Sequence, residues 1–189
     1  MKDVQPVLRK DAARNRRYIV DAARAIAQEG KPIQLNAVAK AADVGVGTVY
    51  RHFPTPEALV EAVAADQFAF LIQQAEEAAA LPDAEQALRG FLKTAVAAYL
   101  RDDAFAAAAI DPEPATPEIQ QLRLRLRGEL NGLLERSAAD GGVHPALTAA
   151  DMMLLLCGVG FAVRHSPDRD DPDLSDRYLN ALLDGALGN

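Results

Sequence analysis

Helix-breaking residues divide this chain into short segments, and this division limits its possible folds more than any other feature. Between the breaks, apolar residues recur three and four positions apart, as in residues 10–29, a stretch that ends at Gly30. Alanine is frequent, and Val, Ile and Thr are not gathered in alternating runs, so the composition favours helix over strand. The sequence therefore predicts an all-α protein of about nine helices.

The breaks lie closest together near the amino terminus. The stretch "LNAVAKAA" (35–42) predicts a two-turn helix, and "DVG" predicts the turn after it. A third helix, about Val46 to Phe53, has to be short because Pro54 follows at once. Thr55 is suited to cap a fourth helix that begins at Pro56.

Beyond Pro82 the helical patterns are longer. They predict helices at about 83–102, 104–110, 117–139, 147–165 and 174–187, separated by loops rich in Pro, Gly and Asp. The segment at 147–165 is apolar on nearly all sides, which predicts burial against several neighbours or against a second subunit. The "RLRLR" at 123–127 predicts a solvated face with core leucines between the arginines.

The charges are unevenly distributed. The net charge is −7, yet residues 1–60 hold ten Lys and Arg against six acids, a net charge of +4, and the rest carries −11. This division predicts that the first part meets a polyanion. Cys157 is the single cysteine, no apolar run approaches ~20 residues and the polar start lacks a signal-peptide core, so we expect a soluble cytoplasmic protein without membrane contact.

The ten residues "VGVGTVYRHF" (44–53) allow several interpretations. A phosphate-binding loop would need a third glycine, or a lysine after the second, and neither is present. A catalytic or metal-binding His52 would need partners at ligand spacing, which the other histidines do not provide. A buried aromatic patch would leave Thr48, Arg51 and His52 without a role.

A helix that reads DNA gives each position a role. Two short helices joined by a tight turn match the helix-turn-helix plan, in which the second helix enters the major groove. Gly45 is acceptable as an N-cap, and Gly47 allows close approach to the duplex. Val49 and Phe53 are spaced to face inward. Four other side chains can reach phosphates or base edges: Thr48, Tyr50, Arg51 and His52.

Residues 10 to 60 resemble the DNA-binding domain of the TetR family of transcriptional regulators. The resemblance rests on "LNAVAKAADVGVGTVYRHFPTPEALVEAV" and above all on its G-T-V-Y-R-H-F core. It implies a helix-turn-helix domain at 10–56, a helical effector-binding and dimerisation domain at 57–189, and a homodimer formed through the last two helices. It also implies backbone contacts by Arg16 and Arg17. We assign these residues to DNA binding: Arg16, Arg17, Gln34, Val46, Gly47, Thr48, Tyr50, Arg51 and His52.

Three positions depart from the family pattern. Gln34 replaces the usual threonine cap of the second helix and caps poorly, although its amide can still reach a phosphate. Asp43 stands where glycine usually makes a left-handed turn. Pro56 stands where a lysine commonly holds a phosphate, which predicts weaker nonspecific affinity for DNA and a shallower salt dependence.

The resemblance also implies an effector cavity among the middle helices. Large or polarisable residues on inward faces are the candidates for its lining: Phe91, Tyr99, Phe105, Leu126, Met153, Cys157 and Phe161. They predict a compact apolar or weakly polar effector. Gly158 and Gly160 could permit close approach between helices near the dimer contact.

The sequence thus favours a ligand-responsive repressor that binds a pseudo-palindromic operator as a dimer. The alternative is a helical protein that binds small molecules and whose helix-turn-helix no longer binds DNA specifically. We expect neither a metal nor a cofactor. We also expect no enzymatic activity, because the serines and histidines form no assembled catalytic set.

Overall fold

The computed structural model describes residues 5–139 and 147–186. All regular elements in these ranges are α-helices, so the all-α prediction is confirmed. There are nine within the described residues: α1 (Gln5–Gln28), α2 (Leu35–Ala41), α3 (Val46–His52), α4 (Pro56–Ala79), α5 (Ala84–Arg101), α6 (Asp103–Ile110), α7 (Pro117–Ala139), α8 (Ala149–His165) and α9 (Leu174–Ala186). The break predicted from "GGVHP" (141–145) and the predicted helix end at Leu187 lie outside the described residues.

The first three helices form a small core of their own. Ile19 of α1, Val38 of α2 and Val49 of α3 are each fully buried. The turn between α2 and α3 includes Asp43, whose φ of 53° places it in the left-handed region, as its position in the sequence predicts. This turn sets the angle at which α3 leaves α2.

Helix α4 joins this core to the rest of the chain. Thr55 caps it, since its hydroxyl oxygen accepts a hydrogen bond from the Ala58 amide at 3.2 Å, and Pro56 occupies its first turn, as predicted. The helix contacts α1 and also packs against α5, α6 and α7. Leu59 near its start and Phe68 in its middle are both fully buried, so α4 belongs to both cores.

The remaining helices form the larger core. Helix α7 lies along α4, α8 packs against α5, and α9 packs on α8 and α5. On α8, Met152 and Val163 are buried, whereas Leu154 and Phe161 are 67% and 57% exposed. The predicted burial of this apolar helix is therefore observed on one face only, and the other face lies at the surface of the chain.

Helices α5 and α8 are in tight contact at Gly160. A Cβ atom on Gly160 would lie 2.2 Å from Cδ1 of Tyr99, far inside van der Waals contact. A Cβ atom on Gly158 would meet nothing within 4 Å. The close approach predicted for these glycines thus occurs within the chain at Gly160 alone.

Membrane-spanning character is missing from this set of helices. None of those described combines the length and the sustained apolar character needed to cross a bilayer.

Candidate DNA interface and ligand cavity

Helix α3 is anchored by its inward face. Gly45 is its N-cap and has extended backbone angles, as predicted. Val49 is fully buried and Phe53 is 3% exposed, so the two apolar residues four positions apart hold the helix against α1 and α2. The remaining positions of this seven-residue helix are exposed or half-buried. The rigid core therefore fixes the orientation of a surface helix.

The outward face of α3 carries side chains that suit contacts with DNA. Val46 and Tyr50 are 44% and 48% exposed, in contrast to the buried Val49. Arg51 is exposed, and its Nε donates to the Gly47 carbonyl oxygen at 3.1 Å. Gly47 has open space where a Cβ would be, so packing within the chain does not require glycine there.

Several basic side chains of the amino-terminal third are held in ion pairs. Arg14 pairs with Asp11, Lys31 with Glu29, and Arg24 with both Asp21 and Asp66, at distances between 2.6 and 3.3 Å. In contrast, three basic residues between 11 and 60 make no ion pair with any described residue: Arg17, Lys40 and Arg51. These three cations are available to a polyanion.

Arg16, which the sequence assigns to the DNA backbone, is engaged elsewhere. Its Nη2 lies 2.8 Å from Oε2 of Glu118 at the start of α7, and its guanidinium lies 5.4 Å from the centroid of the Phe53 ring. The pair joins the helix-turn-helix segment to α7. The pair occupies one nitrogen of the guanidinium, and the Arg16 side chain remains 43% exposed, so Glu118 competes with a phosphate for this cation without excluding it.

Gln34 and Pro56, the two departures from the family pattern that lie at helix starts, each change the first turn of a helix. Gln34 has the extended backbone of an N-cap, but its side chain makes no capping hydrogen bond, as predicted. Pro56 is exposed at the first position of α4 and offers no cation. The first turn of α2 therefore lacks a side-chain cap, and the first turn of α4 lacks a cation that could hold a phosphate.

An apolar cavity of about 40 Å³ lies among α4, α5, α6, α7 and α8. Six of the seven predicted lining residues surround it: Phe91, Tyr99, Phe105, Leu126, Met153 and Cys157. The seventh, Phe161, is an error of prediction, because it is 57% exposed and lies outside the lining. Helix α8 is apolar all round, so its periodicity could not show which face turns inward.

The chemistry inside this cavity is almost entirely hydrocarbon. Phe68 and Phe105 meet edge to face, with ring centroids 4.8 Å apart. Burial raises the pKa of the Cys157 thiol, and the positive charge of Arg123 opposes this shift. Burial likewise raises the pKa of Tyr99. Both groups are therefore neutral near pH 7, and the cavity favours apolar matter.

Sequence reasoning missed half of the lining. The additional residues are Phe68, Leu71, Ala95, Ala109, Leu130 and Leu156. Phe68 and Leu71 belong to α4, so the helix that directly follows α3 also forms part of the cavity wall. Their inward spacing was visible in the sequence, but nothing local distinguishes a cavity wall from core packing. Lys40 was missed among the basic residues because its freedom from ion pairs depends on the tertiary structure.

The segment at 123–127 also differs from expectation. Leu126 is buried as predicted, but Leu124 is 51% exposed. Arg123 is half-buried, and its Nη1 donates to the carbonyl oxygen of Asp111 in the loop between α6 and α7. The predicted solvated face with core leucines is therefore wrong at Arg123 and Leu124.

The same loop is tied to α4. Glu61 of α4 is 3% exposed, and its carboxylate accepts hydrogen bonds from the Ala115 amide at 2.6 Å and the Thr116 hydroxyl at 2.5 Å. A buried carboxylate needs such partners to offset its lost hydration. Helix α4 and the loop before α7 are thus joined at Glu61, and the ion pair of Arg16 and Glu118 joins α1 to the start of α7.

No metal-binding cluster is evident in the described ranges, where three or more His, Cys, Asp or Glu side chains never come together. His52 is half-buried, with its ring centroid 6.3 Å from that of Phe53. The site is therefore an exposed helix, a set of free cations and an apolar cavity.

Comparisons with known proteins agree with this arrangement. Residues 19–63 match the family described as bacterial regulatory proteins, tetR family. Residues 83–186, more than half of the chain, match the family described as transcriptional regulator SbtR-like, C-terminal domain. The two matches cover the helix-turn-helix region and the larger helical core.

Individual relatives are similar over different extents. The HTH-type transcriptional repressor KstR of Mycolicibacterium smegmatis is 40% identical over 75 residues, which are 38% of this chain and 37% of that protein. The chain thus spans little more than a third of the length of this curated relative.

Two solved structures match nearly the whole fold. The TetR transcription regulatory protein from Mycobacterium vanbaalenii is 31% identical, with a TM-score of 0.55 over 96% of this chain and 99% of that one. RolR in complex with the ligand resorcinol is 19% identical and has a TM-score of 0.69 over 95% of this chain and 91% of that one, a likeness of fold alone. The chain therefore belongs to the TetR family of bacterial transcriptional regulators.

Proposed function

We propose that this protein is a ligand-responsive repressor that binds a pseudo-palindromic operator as a homodimer in the cytoplasm. The observation that carries this proposal is the geometry of α3, which is fixed to the core by Val49 and Phe53 and exposes Val46, Tyr50 and Arg51. Such a helix fits the major groove. The division at residues 56 and 57, with α4 shared between both cores, is part of the same proposal.

The proposed DNA contacts follow the exposed surface. Arg17 and Arg51, with Lys40, supply the positive charge that steers and holds a phosphate backbone. Thr48, Tyr50 and His52 reach phosphates or base edges, Val46 and Gly47 allow close approach, and Gln34 presents its amide. Arg16 joins them in competition with Glu118 for its guanidinium.

The dimer contact would form on the exposed face of α8, together with α9. Leu154, Gly158, Phe161 and His165 are spaced four, three and four residues apart, which places them along one side of the helix, and all are exposed. The Phe161 and His165 rings stack at 4.0 Å. An apolar stripe of this kind is costly in water and favours burial against a second copy around a two-fold axis.

The effector would occupy the apolar cavity, and α4 would carry the signal. RolR, which shares the fold, has been solved in complex with the ligand resorcinol. Phe68 and Leu71 of α4 line the cavity, and α4 begins only four residues after the end of α3. A ligand that moves α4 would change the spacing of the two α3 helices in the dimer and favour release from DNA.

The DNA-binding proposal is tested by selecting sequences from a random duplex library with the full chain. We expect a two-fold-related sequence, with Arg51→Ala and Tyr50→Phe both weakening its binding. Arg101→Ala is a matched control, since Arg101 is also an exposed helical arginine whose Nε donates to a carbonyl four residues earlier, at 3.2 Å. No preference over bulk DNA would instead favour a small-molecule-binding protein without specific DNA binding.

The dimer proposal is tested by sedimentation velocity. We expect Phe161→Glu to shift the protein toward the monomer, because a carboxylate at this stripe would be desolvated on association. Leu81→Glu places the same charge at an exposed leucine after α4 and should leave the dimer intact. Equal behaviour of the two variants would place the interface elsewhere.

A further inference from the structure

A surface cleft adjoins the apolar cavity between α7 and α8. Its boundary residues are Pro114, Gln120, Arg123, Arg127, Ala150 and Leu154, and its volume is about 270 Å³. Ala109 and Met153 line both the cleft and the cavity. The two spaces are therefore neighbours separated by the thickness of one or two side chains.

Neither space alone has the usual size of a ligand site. The cavity of about 40 Å³ admits no more than a few water molecules. Small-molecule pockets in proteins typically measure about 300–1,000 Å³. A ligand of ordinary size would have to extend from the cavity through the shared boundary into the cleft.

The cleft differs from the cavity in its charge. Arg123 and Arg127 are four residues apart on α7 and so lie on the same face of the helix, where like charges repel. Arg127 forms no ion pair with any residue in the described ranges, and Arg123 donates to a backbone carbonyl rather than to a carboxylate. The positive charge of Arg123 opposes the rise in the pKa of the Cys157 thiol, which lines the cavity. A bound anion would relieve this repulsion.

We propose that the effector is an amphipathic anion, with an apolar body in the cavity and a carboxylate or phosphate group held by Arg123 and Arg127 in the cleft. This inference rests on the proposed function, in which the cavity takes the effector. Guanidinium groups bind either anion through paired, charge-assisted hydrogen bonds. Gln120 adds a neutral donor at the same edge.

The hydrogen bond between Arg123 and the Asp111 carbonyl also connects the cleft to α4 through the loop between α6 and α7. Arg123 holds the Asp111 carbonyl, and the loop that follows holds Glu61 of α4 through Ala115 and Thr116. An anion that draws the Arg123 guanidinium away from Asp111 loosens one end of this loop. The ligand thereby changes a segment that is hydrogen-bonded to the helix carrying the signal.

Isothermal titration of the full chain without DNA tests the ligand class. Decanoate and decyl phosphate supply the two anionic groups on the same apolar chain, and decanol is the matched neutral probe. We expect both anions to bind at least about tenfold more tightly than decanol. The tighter of the two identifies the anionic group.

Variants then locate the contact. Arg127→Gln should weaken binding of the anions about five- to tenfold and leave decanol unchanged, because Arg127 makes no ion pair whose loss would disturb the described fold. Arg125→Gln is the control, since Arg125 is on the same helix but points to Glu76, 3.5 Å away, and does not line the cleft. Ala109→Leu narrows the shared boundary and should weaken all three probes.

Three results would overturn the proposal: equal affinity for decanol and the anions, no binding of any probe, or equal effects of Arg127→Gln and Arg125→Gln. These binding measurements are made without operator DNA, so their outcome does not depend on whether the protein binds DNA. A chain that binds decanoate but shows no specific DNA binding would refute the repressor function and leave the ligand class standing.

Discussion

Replacing Gly160 by alanine tests a tight packing contact between α5 and α8 in the larger core. The added Cβ would lie 2.2 Å from Cδ1 and 2.7 Å from Cε1 of Tyr99, whereas ordinary contact begins near 3.4 Å. The Tyr99 ring or the α8 backbone would therefore have to shift by about 1 Å. Gly160 is needed because the ring occupies the space that any side chain would fill.

The Tyr99 ring has little freedom to move away. It is 6% exposed, and the guanidinium of Arg164 lies 5.1 Å from its centroid. Arg164 also donates to the Tyr99 carbonyl and pairs with Asp103 at 2.6 Å, which fixes the guanidinium beside the ring. The overlap must therefore be relieved by strain within the core, because the Tyr99 ring cannot swing out into solvent as a surface side chain could.

The expected free energy follows from two opposing effects. Overpacking of a core by one methyl group typically costs about 1–3 kcal/mol. Alanine in a helix interior gains about 1 kcal/mol over glycine. We therefore expect Gly160→Ala to lower the free energy of unfolding by between about zero and 2 kcal/mol.

A matched control separates the two effects. Gly132 of α7 is exposed and has open space at its Cβ position. Gly132→Ala should therefore show only the rise of about 1 kcal/mol in the free energy of unfolding that alanine gives over glycine in a helix. The difference between the two variants should be about 1–3 kcal/mol. Urea unfolding followed by circular dichroism, at one protein concentration because a dimer is expected, measures both.

A double-mutant cycle makes the prediction specific to Tyr99. In a Tyr99→Ala background the clash is gone, and Gly160→Ala should then resemble Gly132→Ala. The reasoning is refuted if Gly160→Ala is as stable as Gly132→Ala in the natural background, because Tyr99 would then not lie against Gly160.

Four further predictions concern the DNA-binding region and the cavity. Pro56→Lys should raise nonspecific DNA affinity and steepen the plot of log K against log salt by ~0.9, as measured by fluorescence anisotropy, whereas Pro56→Gln should not. Glu118→Gln should free Arg16 and strengthen DNA binding in the same assay, while the free energy of unfolding falls by less than about 1 kcal/mol. Gln34→Thr should raise the free energy of unfolding by about 1 kcal/mol, because the backbone there already has N-cap geometry. Cys157 should react with iodoacetamide at pH 7 more slowly than free cysteine, because its raised pKa lowers the thiolate fraction.

Each of these has a contradicting result. An unchanged salt slope for Pro56→Lys would mean that the start of α4 does not approach a phosphate. Unchanged DNA binding by Glu118→Gln would remove Arg16 from the interface. No gain for Gln34→Thr would mean that water already satisfies the first amides of α2. Alkylation of Cys157 as fast as that of free cysteine would show that the thiol is open to solvent.

The sequence by itself determined the features that depend on a few neighbouring residues. Thr55 and Pro56 define the start of α4, and Asp43 takes the left-handed conformation that its turn requires. Caps, breakers and left-handed turns act within one helical turn, so their effect does not depend on the rest of the fold. The burial of Val49 and Phe53 follows from helical spacing in the same way.

Only the tertiary structure decided which distant residues meet and which faces turn inward. Arg16 pairs with Glu118, about a hundred positions away, and no local pattern indicates such a partner. Phe161 could not be placed from the sequence because α8 is apolar on all sides. Arg123 could not be told from a solvated arginine until the fold set it beside the loop at Asp111 and the cavity. Spacing along a helix fixes the relative angles of its side chains, whereas packing against other helices fixes what each angle faces.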